Sequence, residues 1–247
     1  MDFPVTEHPH LLHALFEALA ISIGALYYRV LYKRQHRQQS PVQGKHFMVL
    51  LGCIFGAALG NKIVFWLEMP HLFSHYWSSG ALWFAGQSIV GGLLGGLIGV
   101  ELAKYFVGIR HSTGDLFVFP LLLGLIIGRI GCFLAGLEDG TYGLPTEKAW
   151  GIDLGDGIPR HPTALYEIVF ALCLWLMLGY IRPLITQYAG LLFRLFLSAY
   201  LLWRLLVEQL KPLPFDYGWG LSGIQVVCLL ALCIYVPLSL RAVRTAS

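Results

Sequence analysis

A chain of 247 residues that is 57% apolar and 13% charged, with a mean hydropathy of +0.67, carries about half the charge of a soluble domain. That excludes an ordinary water-soluble fold and points to an all-α, polytopic integral membrane protein. A net charge of +3 without a basic run interleaved with aromatics excludes nucleic acid as a partner, and five cysteines inside apolar segments exclude a disulfide framework.

Residues 1–13 contain no Lys or Arg, and the first apolar run ends at Tyr27-Tyr28-Arg29 without a small-residue cleavage site. The first helix, 13–32, is therefore expected to stay as an anchor. A spanning helix needs about 20 mostly apolar residues. Six more candidates follow at 46–67, 82–107, 115–135, 163–181, 187–208 and 219–240. The second carries the ladder Gly52-Gly56-Gly60 and the third Gly91-Gly95-Gly99, spacings that let helix backbones approach closely. The doubled glycines Gly91-Gly92 and Gly95-Gly96 leave two adjacent faces bare, which suits a groove for a lipid tail. The third segment is long for one crossing and is expected to be tilted, kinked or partly outside the bilayer.

Between the fourth and fifth segments lies a polar insert, 136–162, whose Gly and Pro density predicts turns and a short hairpin. Loop Lys and Arg residues set the orientation. With the N-terminus outside and the C-terminus inside, Lys33, Arg34, Arg37, Lys45, Lys104, Arg110, Arg182, Arg241 and Arg244 fall inside. Only Lys148, Arg160 and Lys211 fall outside. The chain is thus expected to form a single transmembrane domain, 1–247, with the insert as an outward-facing head.

Ionisable residues at bilayer depth are costly and mark function. Glu101 is expected to pair with Lys104 at the inner end of the third segment. The others converge near the outer surface: Lys62, Arg129, Arg160, His161, Arg204 and Glu208. Tyr200, Arg204 and Glu208 share one helix face at i, i+4, i+8, and Arg129, Cys132 and Gly136 share another at i, i+3, i+7. Plain ion pairing is one reading, within a helix for Arg204–Glu208 and between helices for Arg129. Several cations at headgroup depth also match a phosphate, which guanidinium groups bind bidentately. The residues alone thus predict a phospholipid site opening near the outer surface. His71 and His75, four residues apart, have a spacing that could hold a metal on a helix but are expected in an outer loop, and no metal or cofactor is expected.

Three stretches in order on successive segments, GRIGCFLAG (128–136), PRHPTALYE (159–167) and YLLWRLLVEQLKP (200–212), resemble the phosphatidylglycerol–prolipoprotein diacylglyceryl transferase family, with VGGLLGG (90–96) ahead of them. The resemblance implies transfer of the diacylglyceryl group of phosphatidylglycerol, or of a related anionic phospholipid, to a lipoprotein cysteine in the bacterial cytoplasmic membrane. It implies roles for Arg129, Arg204, Glu208 and His161 in catalysis. It also implies substrate contacts at Tyr200, Arg160, Tyr166, Gly91, Gly92 and Gly136; Lys62, from its place among the outer charges, and Cys132, from its place beside Arg129, are expected to join them. The departures fall on one half of the chemistry. Val90 stands where the family has a histidine, Cys132 and Ala135 stand for asparagines, and Ala164 stands for a glutamine. His161 is the expected replacement base, and Cys132 beside Arg129 is either a small packing residue or a thiolate nucleophile. A non-catalytic lipid-binding or lipid-moving protein that keeps the headgroup site is the alternative.

Overall fold

The computed structural model describes residues 8–36, 40, 42–76 and 86–244, and Arg37 and residues 82–85 of the expected third segment lie outside them. Among the described residues eight α-helices run in chain order: α1 Pro9–Gln35, α2 Gly44–Glu68, α3 Pro70–Tyr76, α4 Ile89–Val107, α5 Val118–Ala135, α6 Thr163–Ile181, α7 Leu191–Val207 and α8 Gly223–Arg244. Among the described residues, six segments are long and apolar enough to cross a membrane: Pro9–Gln35, Gly44–Glu68, Ile89–Val107, Gly114–Asp139, Thr163–Leu184 and Gly223–Arg241. Exposed side chains such as Ile54, Phe55 and Leu176 on these helices are the surface that lipid covers.

Two boundaries differ from the expected ones for local reasons. Among the described residues of the third segment the helix begins at Ile89, where the Ser88 hydroxyl caps it by accepting the Gly91 N–H at 3.3 Å, while the Ser88 N–H donates to Asn61 Oδ1. The sixth expected segment, 187–208, is helical over Leu191–Val207 and tightens into a 3-10 turn at Glu208–Leu210.

The chain divides into two compact units. The first comprises Met1–His36, Thr113–Ala199 and Gln209–Pro212; the second comprises Arg37–Ser112, Tyr200–Glu208 and Leu213–Ser247.

In the first unit α5 packs between α1 and α6. Small residues set the α1–α5 distance: a Cβ on Gly24 would lie 3.3 Å from the Pro120 carbonyl oxygen, and one on Gly131 would collide with Phe16. The insert leaves α5 through Gly136, whose φ of 65° only glycine adopts freely. It contains the expected hairpin, with β1 (Ile152–Asp153) antiparallel to β2 (Pro159–Arg160). The Asp115 carboxylate accepts the N–H groups of Gly190 and Phe193 at 2.7 and 2.9 Å, capping α7 from a distant point in the chain. Replacing it with alanine should therefore lower stability by about 1–2 kcal/mol, read as a lower thermal midpoint of the detergent-solubilised protein.

In the second unit the two glycine ladders meet each other. Gly52, Gly56 and Gly60 of α2 lie against Gly99, Gly95 and Gly91 of α4, so that a Cβ on any of them would strike backbone. Gly92 and Gly96 flank the same crossing, with Ala57 their common neighbour. The groove expected along the doubled glycines is thus lined by α2. At the far end of α2, the Ile224 N–H of α8 donates to Glu68 Oε2 at 2.7 Å.

Candidate functional site

Each unit holds a buried charge group of its own. In the first unit Arg129 projects from α5, and its Nε lies 2.8 Å from Glu167 Oε2 on α6. Lys211 Nζ takes the other oxygen of the same carboxylate at 3.1 Å, and the three side chains are 6%, 1% and 8% exposed. Burying ions costs several kcal/mol each, so such a group is a weak way to stabilise a fold and a strong sign of a functional site. Two cations thus share one buried carboxylate. Helical periodicity then places Cys132 one turn on, with Arg129 Nη1 3.6 Å from its Sγ. All five cysteines are free.

At the same end of this unit, acidic residues of the 3-10 turn Gly136–Asp139 meet α1. His10 Nε2 lies 3.5 Å from Glu138 Oε2, and His13 Nδ1 lies 2.5 Å from Asp139 Oδ1. Asp139 also accepts the Thr141 hydroxyl. Donor atoms of His13, Cys132 and Asp139 fall within 4.8 Å of one another. Two nitrogen or oxygen ligands on one tetrahedral zinc sit about 3.3 Å apart, wider than the His13–Asp139 contact, and the Arg129 guanidinium beside the sulfur adds a like charge. The trio reads as a proton-sharing cluster rather than a metal cage.

Arg160 and His161 precede α6 rather than start it. Arg160 donates to Asp156 Oδ2 through Nε at 2.9 Å and Nη2 at 2.5 Å, holding that carboxyl below the usual carboxylate range, and stacks on Tyr142. His161 Nδ1 lies 3.1 Å from the Tyr166 hydroxyl, which accepts the Trp150 Nε1–H at 2.8 Å. The Tyr166 hydroxyl thus joins the Trp150 and His161 rings. Trp150, Tyr166, Pro162, Leu165 and Val169 line an open, mostly apolar cavity of about 600 Å³.

In the second unit Arg204 Nη2 lies 2.5 Å from Glu208 Oε2, the pair expected at i, i+4. Tyr200, one turn before, is fully buried. Lys62 donates to the Gly86 carbonyl at 2.7 Å. Gly91 is spent on the α2 crossing, whereas Gly92 has its nearest neighbours at 3.9 Å. Lys104 pairs with Glu101 at 2.9 Å, as its spacing predicts.

The structure thus joins Arg129 to Cys132, His161 to Tyr166 and Arg204 to Glu208. It adds four charged or polar residues that periodicity does not single out for a role: His13, Asp139, Lys211 and Glu68. Glu167 has a signal, since it closes the PRHPTALYE stretch; Lys211 has only its place in EQLKP.

The family model described as prolipoprotein diacylglyceryl transferase matches residues 7–240. Among curated relatives, the phosphatidylglycerol–prolipoprotein diacylglyceryl transferase of Geobacter sulfurreducens is 35% identical over 74% of this chain and 74% of its own length. Its namesake from Nitratidesulfovibrio vulgaris strain DP4 is 34% identical over 73% and 70%. The one from Aromatoleum aromaticum is 30% identical over 95% and 98%.

Proposed function

This chain belongs to the prolipoprotein diacylglyceryl transferase family, and from that premise we propose that it moves the diacylglyceryl group of phosphatidylglycerol to a cysteine thiol of a lipoprotein precursor, releasing glycerol-1-phosphate. The chain is a multi-pass membrane transferase. Its place in the bacterial cytoplasmic membrane, with the N-terminus and the 136–162 head outward, the C-terminus inward and α7 as a seventh crossing in one transmembrane domain, belongs to the proposal.

The observation that supports this reading is the buried Arg129–Glu167–Lys211 group, which holds a guanidinium in place away from water. Breaking the glyceryl C–O bond leaves the electron pair on a phosphate oxygen, and a preorganised guanidinium in a water-poor site is the group that stabilises it. Glu167 fixes the guanidinium plane, so no reorganisation is needed as charge develops. Arg204, steadied by Glu208, and Tyr200 are the proposed reaction residues of their own unit. Arg160, His161 and Tyr166 hold the head and the cavity wall in shape, and Gly136 turns the chain into it. Lys62 steadies the approach to α4, Gly91 and Gly92 its contact with α2, and Cys132 packs beside Arg129.

The direct test uses the full chain reconstituted in phosphatidylglycerol vesicles with a cysteine-bearing lipoprotein-type peptide. The peptide is expected to gain one diacylglyceryl mass while glycerol phosphate appears in equal amount. Bound phosphatidylglycerol that stays intact over long incubation, with unmodified peptide, would overturn the transferase reading in favour of lipid binding.

A further inference from the structure

The two pairs between α1 and the Gly136–Asp139 turn have the same composition and different settings. His10 and Glu138 are 78% and 57% exposed, so their attraction is worth little in water. Asp139 is only 3% exposed while His13 is 36% exposed. A carboxylate taken out of solvent is expensive unless it is partnered, and Asp139 has two partners, the His13 ring and the Thr141 hydroxyl. The histidine side of the pair remains accessible.

Three further facts fix where this pair stands. Phe16, three residues after His13 and on the same face of α1, presses against Gly131, the neighbour of Cys132, so α1 cannot slide without a clash. Atoms of His13, Asp139 and Cys132 lie within 4.8 Å of one another. Arg129 Nη1 lies 3.6 Å from that same sulfur. A sulfur atom is therefore already accommodated between the arginine proposed to receive the phosphate and a histidine–carboxylate pair. Val90, which stands where the resembled family keeps a histidine, is a buried hydrocarbon and offers no base.

We propose that the His13–Asp139 dyad is the acid–base group of the transfer, taking the proton from the acceptor thiol. This inference rests on the reading of the chain as a thiol-directed transferase. His13 Nδ1 faces Asp139 Oδ1 at 2.5 Å, which leaves Nε2 as the nitrogen that receives the S–H proton. The proton is held by the dyad as a unit, with the carboxylate balancing the imidazolium. The thiolate sulfur attacks the glyceryl carbon that bears the phosphate ester. The new C–S bond forms as the C–O bond breaks, and its electron pair leaves on the glycerol phosphate oxygen facing Arg129. The dyad then returns its proton to the departing glycerol phosphate. An ordinary thiol, with a pKa near 8.5, is mostly protonated at neutral pH and needs such a group.

The test compares a cysteine peptide with the same peptide carrying selenocysteine, whose selenol is already ionised at neutral pH. Both are supplied to the full chain in phosphatidylglycerol vesicles. His13→Gln, which keeps a hydrogen-bonding amide for Asp139, should lose about 100-fold or more of the rate with cysteine and stay within about threefold of wild type with selenocysteine. Asp139→Asn should show the same split and serves if His13→Gln does not fold. Equal losses with both acceptors would assign the pair a structural role and overturn the inference, as would full activity with both. Loss of activity on chelation with recovery on zinc would also overturn it, in favour of a metal held by the trio. A wild-type protein that lipidates neither peptide would instead bring down the transferase reading on which the inference stands.

Discussion

Arg129→Ala is expected to lower diacylglyceryl transfer by about 100- to 1,000-fold, the usual loss when a preorganised charge stabiliser is removed from an active site. Two separate effects contribute, and they can be separated. The catalytic one is the loss of the guanidinium at the position where the phosphate leaves. The structural one is that Glu167, 1% exposed, keeps only Lys211 of the two cations described around it. Glu167 and Lys211 then remain as a one-to-one buried pair, and losing one charge-assisted contact costs about 1.5–3 kcal/mol. Arg129→Ala should therefore also lower the thermal midpoint. Adding Glu167→Gln takes the carboxylate from buried Lys211 as well and should lower the midpoint further while leaving transfer near zero. Arg129→Lys should recover little, because an ammonium cannot hold Glu167 through Nε and present a planar fork as well. Turnover retained in Arg129→Ala would remove Arg129 from the reaction.

Gly95→Val should have the largest effect on the fold. Its Cβ would lie 2.8 Å from the Gly60 Cα and closer still to the Gly56 carbonyl oxygen, so both obstacles are backbone. Overpacking usually costs about 1–3 kcal/mol when side chains can move aside; here none can, and α2 and α4 must separate. Loss of helix contact also removes the close backbone approach that favours small-residue crossings where lipid supplies no hydrophobic drive. Limited proteolysis between α2 and α4 and the thermal midpoint would both report it. Gly92→Ala is the matched control: its neighbours stand 3.9 Å away, so it should behave as wild type. Equal tolerance of the two substitutions would show that the ladder crossing contributes little.

Much of this was legible from local periodicity. Arg129 and Cys132 touch because residues three apart share a helix face, and Arg204 meets Glu208 because residues four apart do. The glycine ladders announced a close crossing, and the Gly- and Pro-rich insert announced a hairpin. The ladders could not announce that they face each other, since a small-residue stripe fits any partner. α4 starts at Ile89 because a serine cap and an asparagine on another helix decide it, and neither enters a hydropathy window. His161 stands out as a base from its place in a motif, and only the folded chain shows its Nδ1 beside the Tyr166 hydroxyl.

By itself the sequence determined that the chain is helical and membrane-embedded, which stretches form helices, which side chains share a face, and which family it resembles. All of these follow from composition, the 3.6-residue period and short ordered motifs. The tertiary structure alone decided that Glu167 lies between Arg129 and Lys211, and that a histidine of α1 lies against an aspartate beyond α5. Such pairings depend on how each helix is rotated and how closely its small residues let it pack. Those are properties of two surfaces together, and neither leaves a periodic trace along either one.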